Sequence, residues 1–247
     1  KAKGISIIYI SHRIEEISRI CDRVTVFRDG RYIGTRDIDQ INRNILIKMM
    51  VGRELSDIYN KQPVKIGDIV LQVNNLTRKG VFNDISFEVR SGEILGFAGL
   101  VGAGRSEIMK AIFGLDPLDS GEIIWQGKSL RIKKTADAID HGIAMVTEDR
   151  KKYGIVLCRD LAENIGLPNL KKQQRGFLIN FRALITRIAE IANQLSIKAP
   201  SLKVEAMSLS GGNQQKVIVA KWLMAAPRLM ILDEPTRGID IGAKSEI

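Results

Sequence analysis

The sequence predicts an α/β fold that carries two phosphate-binding turns and one acidic strand end. The first turn is Gly99–Ser106, with the sequence GLVGAGRS, which follows an apolar segment and precedes a helical pattern. The second turn is Leu209–Lys216 (LSGGNQQK), which opens another helical pattern. The acidic end is Leu232–Pro235 (LDEP), directly after an apolar strand candidate. Parallel α/β sheets bind their ligands at the carboxyl ends of their strands, so this acidic pair lies where a ligand is expected.

The glycine spacing of Gly99–Ser106 is that of a phosphate-binding loop, which reads G-x-x-x-x-G-K-[ST] between a strand and a helix. Glu93–Ala98 is predicted as the strand before the loop, and Ser106–Phe113 as the helix after it. Glycines let backbone N–H groups turn inward around phosphate oxygens, and the helix adds the positive end of its dipole. The residues expected to bind the nucleotide here are Gly99, Gly102, Ala103, Gly104, Arg105 and Ser106.

Arg105 stands where such a loop has lysine. Lysine is a compact charge on a slim stem, whereas arginine carries a planar and wider fork. We therefore expect nucleotide binding to survive this replacement better than catalysis does. Ser106 offers a hydroxyl group to Mg²⁺. The alternative is a glycine-rich turn between a strand and a helix that binds no ligand.

The acidic pair Asp233 and Glu234 follows the predicted strand Leu229–Leu232. Asp233 is expected to hold Mg²⁺, usually through water. Glu234 is the candidate catalytic base that accepts the proton of the attacking water. The alternative is a solvated strand end followed by a proline turn.

The second turn precedes a helix predicted over Gln214–Ala226, with Val217, Ala220, Trp222, Leu223 and Met224 on its apolar side. Ser210, Gly211 and Gly212 stand at its amino end, where unpaired N–H groups and the helix dipole favour an anion such as the γ-phosphate of a nucleotide. An ordinary capped helix without a ligand is the alternative.

These motifs, with Val146–Lys151 (VTEDRK) and Pro235–Lys244 (PTRGIDIGAK), resemble the ATP-binding proteins of ABC transporters. The particular sequences of Val146–Lys151 and Pro235–Lys244 are similar to those in the second ATPase half of bacterial importers for ribose, galactose and xylose. The resemblance covers nearly the whole chain. It implies a P-loop NTPase core sheet, an antiparallel β subdomain, and a helical subdomain at about residues 155–210 whose groove receives a permease helix. Within that subdomain, Asp160–Ile165 and Arg182–Ser196 are predicted as helices.

The resemblance also assigns three further site residues. His12 matches the histidine that contacts the γ-phosphate near the end of an ATPase half. Asp240 is expected on the loop after the acidic strand, facing the opposite half. Glu148 stands where most members have a glutamine that senses the γ-phosphate. This departure, together with Arg105, indicates that this half is catalytically degenerate.

The same resemblance divides the chain into three parts. Residues 1–35 are similar to the end of a first ATPase half, residues 36–66 form a linker, and residues 67–247 form most of a second half that stops before its own histidine-bearing strand. In the first part, a strand is predicted at Ile5–Ile10, a helix around Ile14–Ile20 and a hairpin at Val24–Thr35, whose Asp-Gly pair suits a type I′ turn. The linker begins with a helical pattern at Ile41–Met50.

We expect Ile5–Ile10 to pair in parallel with Leu229–Leu232, within one chain or from a neighbouring chain, because a sheet that lacks an inner strand exposes backbone groups. The alternative is that residues 1–35 are disordered or pack elsewhere.

The composition limits the classes of partner. The formal net charge is +10, from 38 basic and 28 acidic residues, which would suit nucleic acid or an anionic membrane. Aromatic residues are only 5% of the chain and form no base-stacking pattern, so we expect no nucleic-acid partner. Cys21 and Cys158 suit a reducing cytosol and lack metal-ligand spacing. The longest apolar stretch, Ile94–Gly104, is shorter than the roughly 20 residues of a membrane span, so membrane contact requires another subunit.

The leading hypothesis is an ATPase subunit that energises monosaccharide import, with ATP and Mg²⁺ as cofactors. Its expected partners are transmembrane permease subunits and a second ATPase half, as a homodimer or fused, with a periplasmic sugar-binding protein acting indirectly. The expected location is peripheral, at the cytoplasmic face of the inner membrane. Two alternatives remain: a soluble ABC protein that acts on nucleic acid or the ribosome, and a regulatory half that binds nucleotide without hydrolysing it.

Overall fold

Two compact units make up the chain: residues 1–62 with 238–247, and residues 63–237. The structure, a computed structural model, describes residues 3–11, 13–28, 30–52, 62–175, 178–239 and 241–247. The helices are α1 (Ile14–Ile20), α2 (Arg43–Val51), α3 (Arg105–Phe113), α4 (Thr135–Asp140), α5 (Leu161–Gly166), α6 (Phe181–Gln194), α7 (Gly211–Met224) and α8 (Ile241–Glu246). The strands are β1 (Arg23–Arg28), β2 (Arg31–Asp37), β3 (Ile69–Arg78), β4 (Phe82–Arg90), β5 (Ser120–Trp125), β6 (Lys128–Ser129), β7 (Ile143–Val146), β8 (Gln174–Arg175), β9 (Leu178–Ile179) and β10 (Leu229–Leu232).

The first unit is built on an antiparallel hairpin. β1 pairs with β2, so the predicted hairpin is confirmed, and Asp29 of its turn lies outside the described residues. The predicted helices near Ile14–Ile20 and Ile41–Met50 are also confirmed, as α1 and α2. Alternating burial along β1 places every second side chain on the helices. The apolar cluster that holds this unit together consists of Ile14, Ile17, Val24, Val26, Leu46 and Ile47.

The strand predicted at Ile5–Ile10 is wrong. These residues form no regular structure, and Ile8 and Ile10 are each 93% exposed. The expected parallel pairing with β10 would join the two units and stays a prediction; within its own unit, β10 pairs with β7 among the described residues. Apolar side chains favour a strand only where a neighbouring strand accepts its backbone hydrogen bonds. Among the described residues of its own unit, Ile5–Ile10 has no such neighbour and instead lines a cavity of about 1070 Å³ beside β1 and α2.

The second unit contains an antiparallel sheet and a parallel pair. The antiparallel sheet has the strand order β4-β3-β5-β6, and β10 pairs in parallel with β7. All four residues of β7 are buried, and α3 and α7 both pack against it. Ile108, Ala111 and Ile112 of α3 are at most 6% exposed, as the periodicity of Ser106–Phe113 predicts. The predicted α/β fold, including its antiparallel β part, is therefore confirmed.

The strand predicted at Glu93–Ala98 is also wrong, because the segment forms no ladder. Phe97 packs edge-on against Phe87 of β4, with 4.9 Å between the ring centroids. Residues 92–97 and β10 line opposite parts of one cavity of about 870 Å³. No described residue between them supplies the hydrogen bonds that would make the segment a strand.

Residues 155–210 hold the two predicted helices. Asp160 caps α5, accepting a hydrogen bond from the Glu163 N–H at 2.7 Å, and the Glu163 side chain returns to the Asp160 N–H. The amphipathic α6 buries Leu184, Ile188 and Ala192. α5, α6 and α7 pack together, so this helical region is anchored on α7.

Candidate functional site

The loop Gly99–Ser106 has the backbone geometry of an anion-binding turn. Gly102 and Gly104 lie in the left-handed region, with φ of +83° and +85°, where glycine has no steric penalty. Gly104 is the N-cap of α3, so the first N–H groups of a nine-residue helix face the loop. A Cβ on Gly99 would lie 3.5 Å from Cδ of Arg105, so the arginine stem passes beside this glycine. The loop can therefore bind an anion, with the Arg105 stem beside Gly99 at its start.

Ser106 and Asp233 form the most specific contact of the site. The Ser106 hydroxyl donates to Oδ1 of Asp233 at 3.0 Å, which joins the start of α3 to the end of β10. The Asp233 N–H donates to the Val146 carbonyl at 2.9 Å and continues the pairing of β10 with β7. Oδ2 of Asp233 is buried and has no hydrogen-bond partner among the described residues. The unpartnered carboxylate oxygen of Asp233 and the hydroxyl oxygen of Ser106 thus lie close together. Oxygen ligands of this kind fit a hard cation such as Mg²⁺.

Glu234 follows Asp233 with its side chain exposed. Its φ is +45°, an uncommon conformation for a residue with a side chain. Backbone strain of this kind concentrates at functional sites. The Arg237 N–H closes the turn by donating to the Glu234 carbonyl at 3.0 Å. The tight turn directs the two neighbouring carboxylates differently: Asp233 towards Ser106 and Glu234 towards solvent.

Glu148 is held by an arginine that the sequence interpretation did not assign. Its carboxylate forms an ion pair with Arg237, and Arg150 donates to the Arg237 carbonyl at 3.1 Å. The loop after β7 is thus tied to the turn after β10. The charge of Glu148 is compensated, so the carboxylate does not present an isolated negative charge to the site.

The Ser-Gly-Gly turn begins α7. The helix starts at Gly211, earlier than the predicted Gln214, because Ser210 is its N-cap and accepts a hydrogen bond from the Asn213 N–H at 3.4 Å. Four of the five predicted apolar residues are buried, whereas Leu223 is 38% exposed. In the described part of the chain, no hydrogen bond joins Ser210, Gly211 or Gly212 to the loop Gly99–Ser106.

The predicted residues His12 and Asp240 lie outside the described residues, so their roles stay predictions. Sequence reasoning missed two residues, Arg237 and Lys221. Arg237 lies in a segment that carries the family resemblance, and its closeness to the acidic pair was the available signal. Lys221 gave no signal, because a lysine in an apolar helix is normally placed at the surface.

Lys221 is buried on α7, with an exposed fraction of 9%. Burial lowers the pKa of its ammonium group from 10.5 to about 8. In the unfolded chain the group keeps its proton up to about pH 10.5, so between pH 8 and 10.5 the unfolded state binds more protons than the folded state. The contribution of Lys221 to stability is therefore least favourable below pH 8 and improves as the pH rises.

This shift predicts a pH-dependent difference between the parent chain and Lys221→Met, in which nothing titrates at this position. From pH 7 to pH 10, the free energy of unfolding of the parent should rise relative to the variant by about 2 kcal/mol. Urea unfolding of both proteins at each pH measures the difference. A difference that stays constant over this range would contradict the assigned pKa.

The comparisons with known proteins decide the family. The family model described as ABC transporter matches residues 82–237, which include the loop, both acidic residues and the Ser-Gly-Gly turn. The chain belongs to the ABC transporter ATP-binding family. This membership confirms the resemblance seen in the motifs and accounts for the pairing of a phosphate-binding loop with an acidic strand end.

Two relatives within this ABC family show the similarity over the whole chain. The chain is 51% identical over 247 residues to a putative ribose/galactose/methyl galactoside import ATP-binding protein 1 of Rhizobium etli, covering 100% of this chain and 47% of the relative. It is 50% identical to the ribose import ATP-binding protein RbsA of Bacillus licheniformis, covering 100% of this chain and 50% of the relative. The chain thus spans about half the length of these relatives.

A solved structure supports the ABC fold. The post-hydrolysis dimer of the ATP-binding cassette MJ0796, bound to ADP and Pi, matches with a TM-score of 0.60 at 20% identity, covering 72% of this chain and 79% of the other. At this identity the likeness shows the fold alone. Among the described residues, no helix is both long and apolar enough to cross a membrane.

Proposed function

We propose that the chain binds ATP with Mg²⁺ at Gly99–Ser106 and forms the second ATPase half of a monosaccharide importer. The observation that carries the proposal is the hydrogen bond between Ser106 and Asp233, with the second Asp233 oxygen buried and unpartnered. Membership of the ABC family supports ATP as the nucleotide.

Each part of the site has a role in this proposal. The N–H groups at the start of α3 bind the phosphates, and Ser106 and Asp233 hold the cation, Asp233 through water. Mg²⁺ would neutralise phosphate charge when bound. Glu234 accepts a proton from the attacking water, and Glu148 lies at the γ-phosphate end with Arg237 compensating its charge.

The importer part of the proposal rests on the relatives, whose names describe ribose and galactose import. Two ATPase halves, fused or as a homodimer, would each pair a phosphate-binding loop with the Ser-Gly-Gly turn of the other half. Permease subunits would receive the helical region 155–210, and a periplasmic sugar-binding protein would act through them. The ATPase would then lie at the cytoplasmic face of the membrane, and nucleic acid is not among the proposed partners.

A second candidate is a regulatory half that binds nucleotide without turnover. Arg105 favours it, because its side chain passes beside Gly99 and ends in a planar guanidinium group that is wider than the ammonium group of lysine. The two candidates share one binding site and differ only in hydrolysis. In both, this half is degenerate compared with a half that has lysine in its loop.

Phosphate release by the purified chain, with its monomeric state verified, tests the catalytic part of the proposal. We expect ATP binding with a turnover well below the roughly 1–10³ s⁻¹ of typical enzymes, because the trans Ser-Gly-Gly turn is missing in a monomer. Arg105→Lys should strengthen ATP binding by about tenfold, because lysine frees the loop beside Gly99. A monomer that turns over at a typical enzyme rate, or an Arg105→Lys variant that binds ATP more weakly, would contradict the account.

A further inference from the structure

Lys221 is a buried cation that the proposed mechanism does not use. Its Nζ donates to the Gly154 carbonyl at 2.5 Å and lies 5.0 Å from the centroid of the Trp222 ring. No carboxylate pairs with it in the part of the chain that the structure describes. The Lys221 ammonium group therefore donates to one backbone carbonyl with no anion beside it, and burying a charged donor in this way is unfavourable.

The carbonyl belongs to the turn that follows Glu148. Asp149 caps this single π-helical turn, Arg150–Gly154, by accepting hydrogen bonds from the N–H groups of Lys151 and Lys152 at 3.1 Å. The turn therefore begins two residues after Glu148, with Asp149 as its cap between them, and ends at the residue whose carbonyl Lys221 holds. Movement of Gly154 away from α7 would displace the whole turn and with it the Glu148 backbone.

The helix that carries Lys221 is fixed on its other sides. Trp222 stacks edge-on against Phe113 of α3, with 5.6 Å between ring centroids and an interplanar angle of 89°. Asn169 donates to the Lys221 carbonyl at 3.1 Å. α7 thus packs on the helix that begins at the phosphate-binding loop, so Lys221 connects that helix with the Glu148 turn.

The contact is close enough that a side chain at Gly154 would press on α7 and displace the Ile218 side chain. A Cβ there would lie 2.7 Å from Cδ1 of Ile218, which is only 1% exposed. Glycine lets the turn approach α7, and Lys221 then binds the carbonyl that this approach brings within reach. Gly154 and Lys221 therefore both keep the turn Arg150–Gly154 against α7.

We propose that Lys221 is a positioning residue for nucleotide recognition: by holding Gly154 against α7, it sets the position of Glu148 relative to the phosphate-binding loop. The proposal rests on the proposed function, in which Glu148 lies at the γ-phosphate. In that function the Glu148–Arg237 ion pair lies at the γ-phosphate, which ADP lacks, so Lys221 favours ATP over ADP without touching either nucleotide. A merely structural lysine would affect both nucleotides alike.

The test measures the affinities of the full chain for fluorescent ATP and ADP analogues and compares the ADP-to-ATP ratio of Kd values. Lys221→Met should weaken ATP binding by about tenfold and ADP binding by no more than about twofold, because ADP lacks the γ-phosphate. Gly154→Ala disturbs the same contact from the turn side and should give the same ratio, which keeps the test decisive if Lys221→Met fails to fold. Lys171→Met is the control, because its ion pair with Asp140 is exposed and outside this network.

A double variant adds a second criterion. In a Glu148→Ala background, Lys221→Met should leave the ratio unchanged, since the residue acts through Glu148. Equal weakening of ATP and ADP, or an unchanged ratio in Lys221→Met and Gly154→Ala, would overturn the positioning role while leaving the nucleotide site intact. A parent chain that binds neither analogue would overturn the proposed function, and the positioning role with it.

Discussion

Ser210→Arg in the proposed two-half importer reduces sugar uptake to the background of cells that lack the protein. Ser210 is the N-cap of α7, and the N–H groups of this 14-residue helix make its amino end electropositive. In the proposal this end binds the γ-phosphate of the nucleotide held by the other half. Arginine adds bulk and a cation at the place where an anion must approach. Uptake of radiolabelled sugar by cells at matched protein levels measures the effect.

Two comparisons separate this effect from loss of folding and from the second site. Ser210→Ala removes the hydroxyl that accepts from the Asn213 N–H and from the Asn213 side-chain amide, and it should cost about 1 kcal/mol of stability while retaining most uptake, because it adds neither bulk nor charge. Glu234→Gln should lower uptake less than Ser210→Arg, because Arg105 already weakens the site that Glu234 serves. If Glu234→Gln proves as damaging as Ser210→Arg, the assignment of the weaker site is wrong.

Gly114→Ala should destabilise the chain by about 3–5 kcal/mol. Gly114 ends α3 with φ of +78°, which already strains a residue with a side chain. An added Cβ would lie 2.6 Å from Cγ2 of Ile132 and 2.9 Å from the Lys134 carbonyl oxygen. Backbone atoms cannot move aside as a flexible side chain can, so the end of the loop-bearing helix must shift.

Gly127→Ala is the matched control for that substitution. Gly127 has nearly the same φ, +76°, but nothing lies within 4 Å of the position of its Cβ. The Gly127→Ala variant should therefore lose only about 1–2 kcal/mol of the free energy of unfolding, which is the cost of a left-handed backbone for a residue with a side chain. Urea unfolding of the three proteins gives the comparison, and equal destabilisation of the two variants would show that the crowding at Gly114 has no effect.

Helices and binding motifs were predictable because their signals are local. The apolar spacing within Ser106–Phe113 and Arg182–Ser196 needs only the helical period, and the structure has α3 and α6 there, with α6 ending at Gln194. The link between Ser106 and Asp233 follows from two motifs whose chemistry requires a common cation. In both cases the information lies in a few neighbouring residues.

The two failed strands show where local information ends. Ile5–Ile10 and Glu93–Ala98 have the apolar composition of strands, as does Leu229–Leu232, yet in the described part of the chain only the last of the three forms a strand. A strand depends on a partner that can be far along the chain, and composition does not reveal whether that partner is present. The partners in the Glu148–Arg237 ion pair and in the Lys221 contact with Gly154 were equally hidden from local patterns, since each contact joins segments that are distant in sequence.

Equilibrium titration of this chain with a fluorescent ATP analogue, with and without Mg²⁺, tests the central claim most directly. We predict saturable binding that Mg²⁺ strengthens by about tenfold or more, and an Asp233→Asn variant in which this Mg²⁺ effect is lost. Glu190→Gln, an exposed carboxylate on α6, should behave as the parent chain does. A parent chain whose affinity is the same with and without Mg²⁺, and unchanged in Asp233→Asn, would contradict the assignment of Ser106 and Asp233 to the nucleotide site.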